Sequence, residues 1–289
     1  SPAAERLDHL RLWRPGTEQD RTMRSRMTHG NRLYVGRAAG GFDENRLSAS
    51  IARSGWAWGC SALDFDNDGF LDVYLGNGLE SNVSVRDYEP ECWLHDKYVG
   101  GRSPDPATLL YLKAKIARTR GRDYSQGGYE KNRFYINQGG ESFLEAGYLM
   151  GLALESDTRN VASDDLDGDG RLDLILTTVS LWPQPRRKLH VYRNELPETQ
   201  NWIGFRLRES PGASPVGTRI TLQCGAKQLI RQIVTGDSFR TQHASTVHFG
   251  IGAEDSVQAA VIEWTNGGKL TLRAPKINRY HSAAAPSQK

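Results

Sequence analysis

Leu63-Asp64-Phe65-Asp66-Asn67-Asp68-Gly69-Phe70-Leu71-Asp72-Val73 occurs twice in this chain. It returns 101 residues later as Asp164-Asp165-Leu166-Asp167-Gly168-Asp169-Gly170-Arg171-Leu172-Asp173-Leu174. Each copy is a D-x-D-x-D-G-x-x-D loop running into an alternating strand. Leu71, Val73 and Leu75 share one strand face after the first loop, and Leu172, Leu174 and Leu176 share one after the second.

The loop chemistry points to calcium. Ca²⁺ takes roughly six to eight hard oxygen ligands, and this spacing curls that many around one ion. The first ligand set is Asp64, Asp66, Asp68, Asp72 and the Phe70 carbonyl. The second is Asp165, Asp167, Asp169, Asp173 and the Arg171 carbonyl. Gly69 and Gly170 stand where each loop must turn sharply. Without a cation the clustered carboxylates would repel one another. An EF-hand is ruled out, because its twelfth position needs a Glu before a helix; here that position holds Leu75 or Leu176 and a strand follows. Magnesium fits less well, since it prefers fewer protein ligands and keeps its waters. Two bound Ca²⁺ ions are expected.

A second element repeats around the loops. Asn31-Arg32-Leu33-Tyr34-Val35 precedes the first and Asn132-Arg133-Phe134-Tyr135-Ile136 the second, while Lys188-Leu189-His190-Val191-Tyr192-Arg193-Asn194 is a weaker third copy. Short strands recurring in fixed order predict a propeller or repeat array over residues 31–196. The 101-residue period is too long for a plain four-stranded blade, and the excess falls at about 83–130. There Asp105-Pro106 reads as a helix start, with Leu109, Leu112 and Ile116 on one face. A small helical insertion is therefore predicted. From 199 to 281 the texture becomes a separate all-β unit. Its alternating runs are Trp202–Arg208, Thr218–Cys224, Gln228–Val234, Thr246–Phe249, Gln258–Trp264 and Lys269–Arg273, with a hairpin turn at Asn266-Gly267-Gly268. Residues 1–30 read as a linker or the end of a preceding blade, and 282–289 as a disordered tail.

Composition narrows the field further. The net charge of +3 is too small to argue for nucleic acid or an anionic membrane. No apolar run is long enough to span a bilayer. Neither an initiator Met nor a hydrophobic signal core opens the chain, so a targeting segment has been removed or a longer product is involved. Cys60, Cys92 and Cys224 fit no metal spacing and leave room for at most one disulfide.

The acidic loops closely resemble FG-GAP/VCBS repeats, the calcium-loop blades of propellers. The C-terminal unit resembles the ASPIC/UnbV domain of the cartilage acidic protein-like family and its bacterial members. The matching residues are Asn201-Trp202-Ile203-Gly204, Ser214-Pro215-Val216-Gly217-Thr218-Arg219, Gly236-Asp237-Ser238-Phe239, Gln242, His248-Phe249-Gly250-Ile251-Gly252 and Val261-Ile262-Glu263-Trp264. The resemblance implies an all-β protein: a partial β-propeller of FG-GAP/VCBS blades with a small helical insertion, then a β-sandwich-like C-terminal domain. One departure is Gly55-Trp56-Ala57-Trp58-Gly59, where many repeats carry a small-residue or Phe-Gly turn. Another is blade number: propellers of this kind close with about seven blades, and this chain encodes two and a fragment. The open edges should pack against further blades, a second copy or a different subunit.

Other constellations carry less. Gly236-Asp237-Ser238 is a lipase-like turn with no other hydrolase feature around it, so Ser238 is not assigned a catalytic role. His243 and His248 read as buried or edge histidines, and Cys60 as a small core residue. No acid/base pair links the 83–130 insertion to the C-terminal domain. Trp56 and Trp58 share a face if that segment is extended, and could stack on a sugar or aromatic ligand. The expected function is a calcium-binding, extracytoplasmic (periplasmic, cell-surface or secreted) interaction or scaffold module recognising a protein or glycan. The alternative is an enzyme or enzyme-accessory subunit in bacterial secondary metabolism or envelope chemistry, which rests on family analogy.

Overall fold

A computed structural model describes residues 30–37, 40–86, 106–119, 123–197 and 200–286, with isolated positions 19, 22 and 26 before them. The expectation for residues 1–30, and Cys92, lie outside this set.

The repeat sequence folds as blade-like antiparallel sheets. Strands β3 (Ala57–Leu63), β4 (Asp72–Asn77), β5 (Arg133–Gln138) and β6 (Ser142–Glu145) form one sheet in that order. Strands β7 (Asp157–Asp164), β8 (Asp173–Ser180) and β9 (Arg186–Tyr192) form the next. Before them, β1 (Tyr34–Gly36) and β2 (Phe42–Glu44) form a two-stranded sheet among the described residues, with a short helix α1 (Ser48–Ile51) following. The acidic loops join β3 to β4 and β7 to β8, so they lie at corresponding ends of two blades.

The alternating leucines stack the repeats face to face. Val73 and Leu75 cluster with Ile51 and Tyr135, against Leu33 just before β1. One repeat later, Leu174 and Leu176 cluster with Tyr74 and Phe134 from the opposite face of the first blade. Every residue of β4 is buried, as a strand covered on both faces should be. The two innermost strands, β3 and β7, lie side by side, with a Cβ on Gly59 set to fall 2.6 Å from the Arg159 carbonyl oxygen.

The predicted helix is present as α2 (Pro106–Thr119), and the insertion closes at its base by a bridge between Glu80 and Gln126. The side chains of Leu109, Leu112 and Ile116 lie outside the described residues.

The C-terminal region is a two-sheet sandwich. Strands β13 (Thr246–Gly252), β10 (Asn201–Arg208) and β16 (Tyr280–Ala284) form one sheet; β12 (Lys227–Gln232), β11 (Arg219–Cys224), β14 (Ala259–Glu263) and β15 (Lys269–Arg273) form the other. Ile203, Phe205, Ile220, Leu222, Phe249 and Ile262 fill the core between them. The Asn266-Gly267-Gly268 hairpin is present between β14 and β15. One boundary moves: residues 282–284, assigned to a tail from sequence, complete β16, and Ala283 and Ala285 are buried. This strand pairs in parallel with β10, far away in sequence, and carries no hydrophobic alternation to announce it.

The candidate metal loops and the interface that covers them

In each loop three aspartates bring one carboxylate oxygen apiece within 4.8 Å of one another: Asp64, Asp66 and Asp68 in the first, Asp165, Asp167 and Asp169 in the second. The loops are wound by their own backbone amides. Asp64 Oδ2 accepts from Gly69 N at 3.1 Å, and Asp165 Oδ2 from Gly170 N at 2.8 Å. The third aspartates accept from the seventh residues, with Phe70 N 2.7 Å from Asp68 Oδ1 and Arg171 N 2.9 Å from Asp169 Oδ1. The fourth loop position needs a left-handed backbone, filled by Asn67 (φ 63) and Gly168 (φ 79).

The ninth-position aspartates stand outside the three-carboxylate clusters and tie each loop to its own sheet. Asp72 accepts from Phe65 N at 2.9 Å and Asn137 N at 2.7 Å. Asp173 accepts from Leu166 N at 3.1 Å and Asn194 N at 2.8 Å. Asn137 lies near the end of the third strand of its repeat and Asn194 just beyond the end of its counterpart, and sequence reasoning did not single out either as a loop anchor. The shared signal was a Tyr-x-Asn triplet at Tyr135 and Tyr192.

The loops differ in what satisfies their charge. In the second, Arg171 pairs with Asp169, and Arg193 Nε lies 2.8 Å from Asp167 Oδ2. In the first, Asp64 is 1% exposed and its Oδ1 has no hydrogen-bond partner among the described residues. Burial pushes the Asp64 carboxyl up to about 7 against the pull of Arg231, with Asp68 and Asp66 raising it further. Burial likewise pushes Asp72 up to about 8. A divalent cation reverses this logic, because an adjacent positive charge favours ionised carboxylates. The donor set fits calcium: hard oxygens, three converging carboxylates and one buried oxygen left unsatisfied.

The C-terminal sandwich sits directly on these loops. Strand β13 turns Val247, Phe249 and Ile251 into the sandwich core and leaves His248 and Gly250 facing the blades. Gly250 N donates to Asp64 Oδ2 at 3.0 Å, and a Cβ there would fall 2.4 Å from Asp64 Oδ2 and the Asn67 backbone. His248 Nε2 lies 2.7 Å from Asn67 Oδ1, while Asn67 Nδ2 donates to the Gly170 carbonyl at 3.0 Å. One asparagine thus joins both loops and the sandwich. Trp202 stacks on His248 at 5.1 Å and fills the space beside Gly170, where a Cβ would meet the indole at 2.0 Å. His248 is buried as expected, and burial, then Arg231, pushes its imidazole down to about 3.

The connection between β12 and β13 reaches the inner strands. Ser238 Oγ accepts from Cys60 N at 3.1 Å, Asn160 Nδ2 donates to the Phe239 carbonyl at 2.6 Å, and Phe239 meets Trp58 edge-on at 5.0 Å. Two expectations change here. Cys60 is exposed rather than in the core, because it alternates with buried Gly59 and Ser61 on β3. The same connection carries an acid/base pair of its own, Asp237 with His243 at 2.7 Å, within the C-terminal domain. Trp56 and Trp58 share no face. Trp56 precedes β3 and packs at Gly127, whereas Trp58 lies under Arg159 at 4.8 Å. Among the described residues, Cys60 and Cys224 are unpaired.

Fold and loops together define a protein of FG-GAP-like blades capped by an ASPIC/UnbV domain, and the comparisons agree. Residues 23–75 match the family model of the FG-GAP-like repeat, and residues 209–289 that of ASPIC and UnbV. The chain is homologous to cartilage acidic protein 1, being 31% identical to the mouse protein over 233 residues, 75% of this chain and 34% of that one. The human protein is 31% identical over 120 residues (40% and 18%), and the Xenopus tropicalis protein 31% over 143 (48% and 22%). The chain therefore spans about a third or less of the length of these relatives. This pair of domains suggests an extracellular interaction module.

Proposed function

We propose that the chain is a calcium-binding, extracytoplasmic interaction module recognising a protein or glycan partner. The observation that carries the calcium reading is Asp64 Oδ1, a buried carboxylate oxygen with no partner at the centre of a three-carboxylate cluster. Leaving such an atom unsatisfied costs on the order of 1–3 kcal/mol or more. Bound calcium supplies the positive charge that satisfies it. Asp64, Asp66 and Asp68 would hold one ion and Asp165, Asp167 and Asp169 another, with Asp72, Asp173 and the Phe70 and Arg171 carbonyls next to them. The second loop is the weaker of the two, since Arg171 and Arg193 compete for its carboxylates. Affinities of about 10⁻⁴–10⁻³ M suit a calcium-rich extracytoplasmic setting. No helix among the described residues is long and apolar enough to cross a membrane.

A broad groove of about 720 Å³ supports the partner reading; Trp58, Phe239, Arg159, Arg187, Lys188 and Arg240 line it. Four cations and two aromatic rings suit a partner with negative charge.

Calorimetric titration of calcium into EGTA-stripped, dialysed protein tests the metal reading. Two sites are expected, with Asp64→Asn removing the tighter and Asp169→Ala the weaker. Absence of any calcium-dependent heat, together with an unchanged Tm in EGTA, would sink it.

A further inference from the structure

Beside the acidic loops, four polar side chains line up across the seam between blades and sandwich. Asp237 Oδ1 lies 2.7 Å from His243 Nδ1, His243 Nε2 lies 3.4 Å from Ser61 Oγ, and Ser61 Oγ lies 2.8 Å from Ser163 Oγ. Ser61 is on β3, Ser163 on β7, and the acid/base pair on the connection between β12 and β13. The order of atoms has a chemical meaning. A carboxylate on Nδ1 holds the imidazole proton there, which leaves the Nε2 lone pair aimed at a hydroxyl. Every proton can then point one way: Ser163 to Ser61, Ser61 to His243, His243 to Asp237.

These groups line a cavity of about 250 Å³. Its wall also carries Arg231, whose Nη2 is buried and has no hydrogen-bond partner among the described residues. Ser61 lines this cavity and is 2% exposed, so a substrate must displace the seam locally to meet its hydroxyl. The Ser61–His243 distance is long for a hydrogen bond, as is common before substrate tightens a site.

We propose that this cavity is an acyl-ester hydrolysis site, with Ser61 as nucleophile, His243 as general base and Asp237 as the residue that orients it. Ser61 Oγ bonds to the ester carbonyl carbon as its proton passes to His243 Nε2, and negative charge develops on the carbonyl oxygen. Arg231, on the same wall, supplies positive charge that favours it. Collapse breaks the bond to the leaving alcohol, which takes the proton from Nε2. Water then adds to the acyl-serine, giving its proton to Nε2, and Ser61 recovers that proton as the carboxylic acid departs. The volume lies below the range of about 300–1,000 Å³ typical of drug-sized pockets, so the substrate is a short acyl ester. Asp64 and Asp164 on the walls disfavour anionic substrates.

The competing explanation is that these side chains only stitch the two domains together. Incubating the full chain with an alkyl fluorophosphonate, then mapping the adduct by peptide mass spectrometry, separates the two. Phosphonylation at Ser61 is expected, with hydrolysis of 4-nitrophenyl acetate that Ser61→Ala abolishes. His243→Gln should slow labelling by about 100-fold or more, and Asp237→Asn should slow it less. Ser238→Ala loosens the same seam by removing the Cys60 contact, and should label at the parent rate. The proposal is overturned by an unlabelled Ser61 in a chain that melts cooperatively. Equal labelling of parent and His243→Gln also overturns it, as does a loss in Ser238→Ala as large as in His243→Gln.

Discussion

Single residues at the seam carry more than their chemistry in the sequence announced. His248 is buried against Trp202, with Asn67 Oδ1 on one ring nitrogen and Tyr280 Oη 3.3 Å from the other. Its imidazole is held down to about 3 by burial and by Arg231. An unfolded imidazole titrates near 6.5, so below that pH the unfolded chain gains a proton that the folded chain refuses. The stability that depends on neutral His248 is therefore complete above about pH 6.5 and drains away as pH falls towards 3, at up to about 1.4 kcal/mol per unit. Chemical denaturation at pH 7 and pH 5 should show the parent losing on the order of 1–2 kcal/mol more than His248→Gln; parallel losses would refute this. A buried or edge place for His248 was legible but its partner was not, since Asn67 lies 181 residues away. Asp64 was legible because its companions stand two and four residues on; its Gly250 donor, 186 residues away, was not.

Among the elements, β9 is the unfinished one. Among the described residues it pairs with β8 alone, whereas its counterpart β5 carries β6 on its outer side. Leu189 is 67% and Val191 56% exposed on it. Open strand edges with apolar side chains recruit another strand. The chain is therefore expected to associate, through further blades or a second copy. Light scattering should give a mass above the 32.2 kDa monomer, with Leu189→Lys/Val191→Lys restoring it; a purely monomeric parent at tens of micromolar would count against the idea. The repeat made this half-blade readable, because Lys188–Asn194 copies the pattern of 132–136. Strand β16 was unreadable for the opposite reason. Tyr-His-Ser-Ala-Ala has no alternation, and its place is set by a parallel neighbour met only after folding.

At the scale of the molecule, the first acidic loop is held by both the blades and the sandwich. Asp64 is wound by Gly69 of its own loop and capped by Gly250 of the other domain. If the loop holds calcium as proposed, stripping the ion restores repulsion among its carboxylates and should loosen the cap along with the loop. Hydrogen exchange in EGTA is expected to speed up in peptides covering residues 246–252 as well as 64–72, with a lower Tm. Acceleration confined to 64–72 would show that the domains respond separately. Domain content and order were readable from local pattern, but the docking was not. It depends on glycines whose value lies in the atoms they omit. A consequence follows for anyone building chimeras from such proteins. The seam is a lock whose halves were cut together, with Asn67 and Gly170 on one side and Gly250 and Trp202 on the other. A C-terminal domain transplanted from a relative would seat only if the donor's first loop travelled with it, so the unit that can be exchanged runs across the boundary between the two domains.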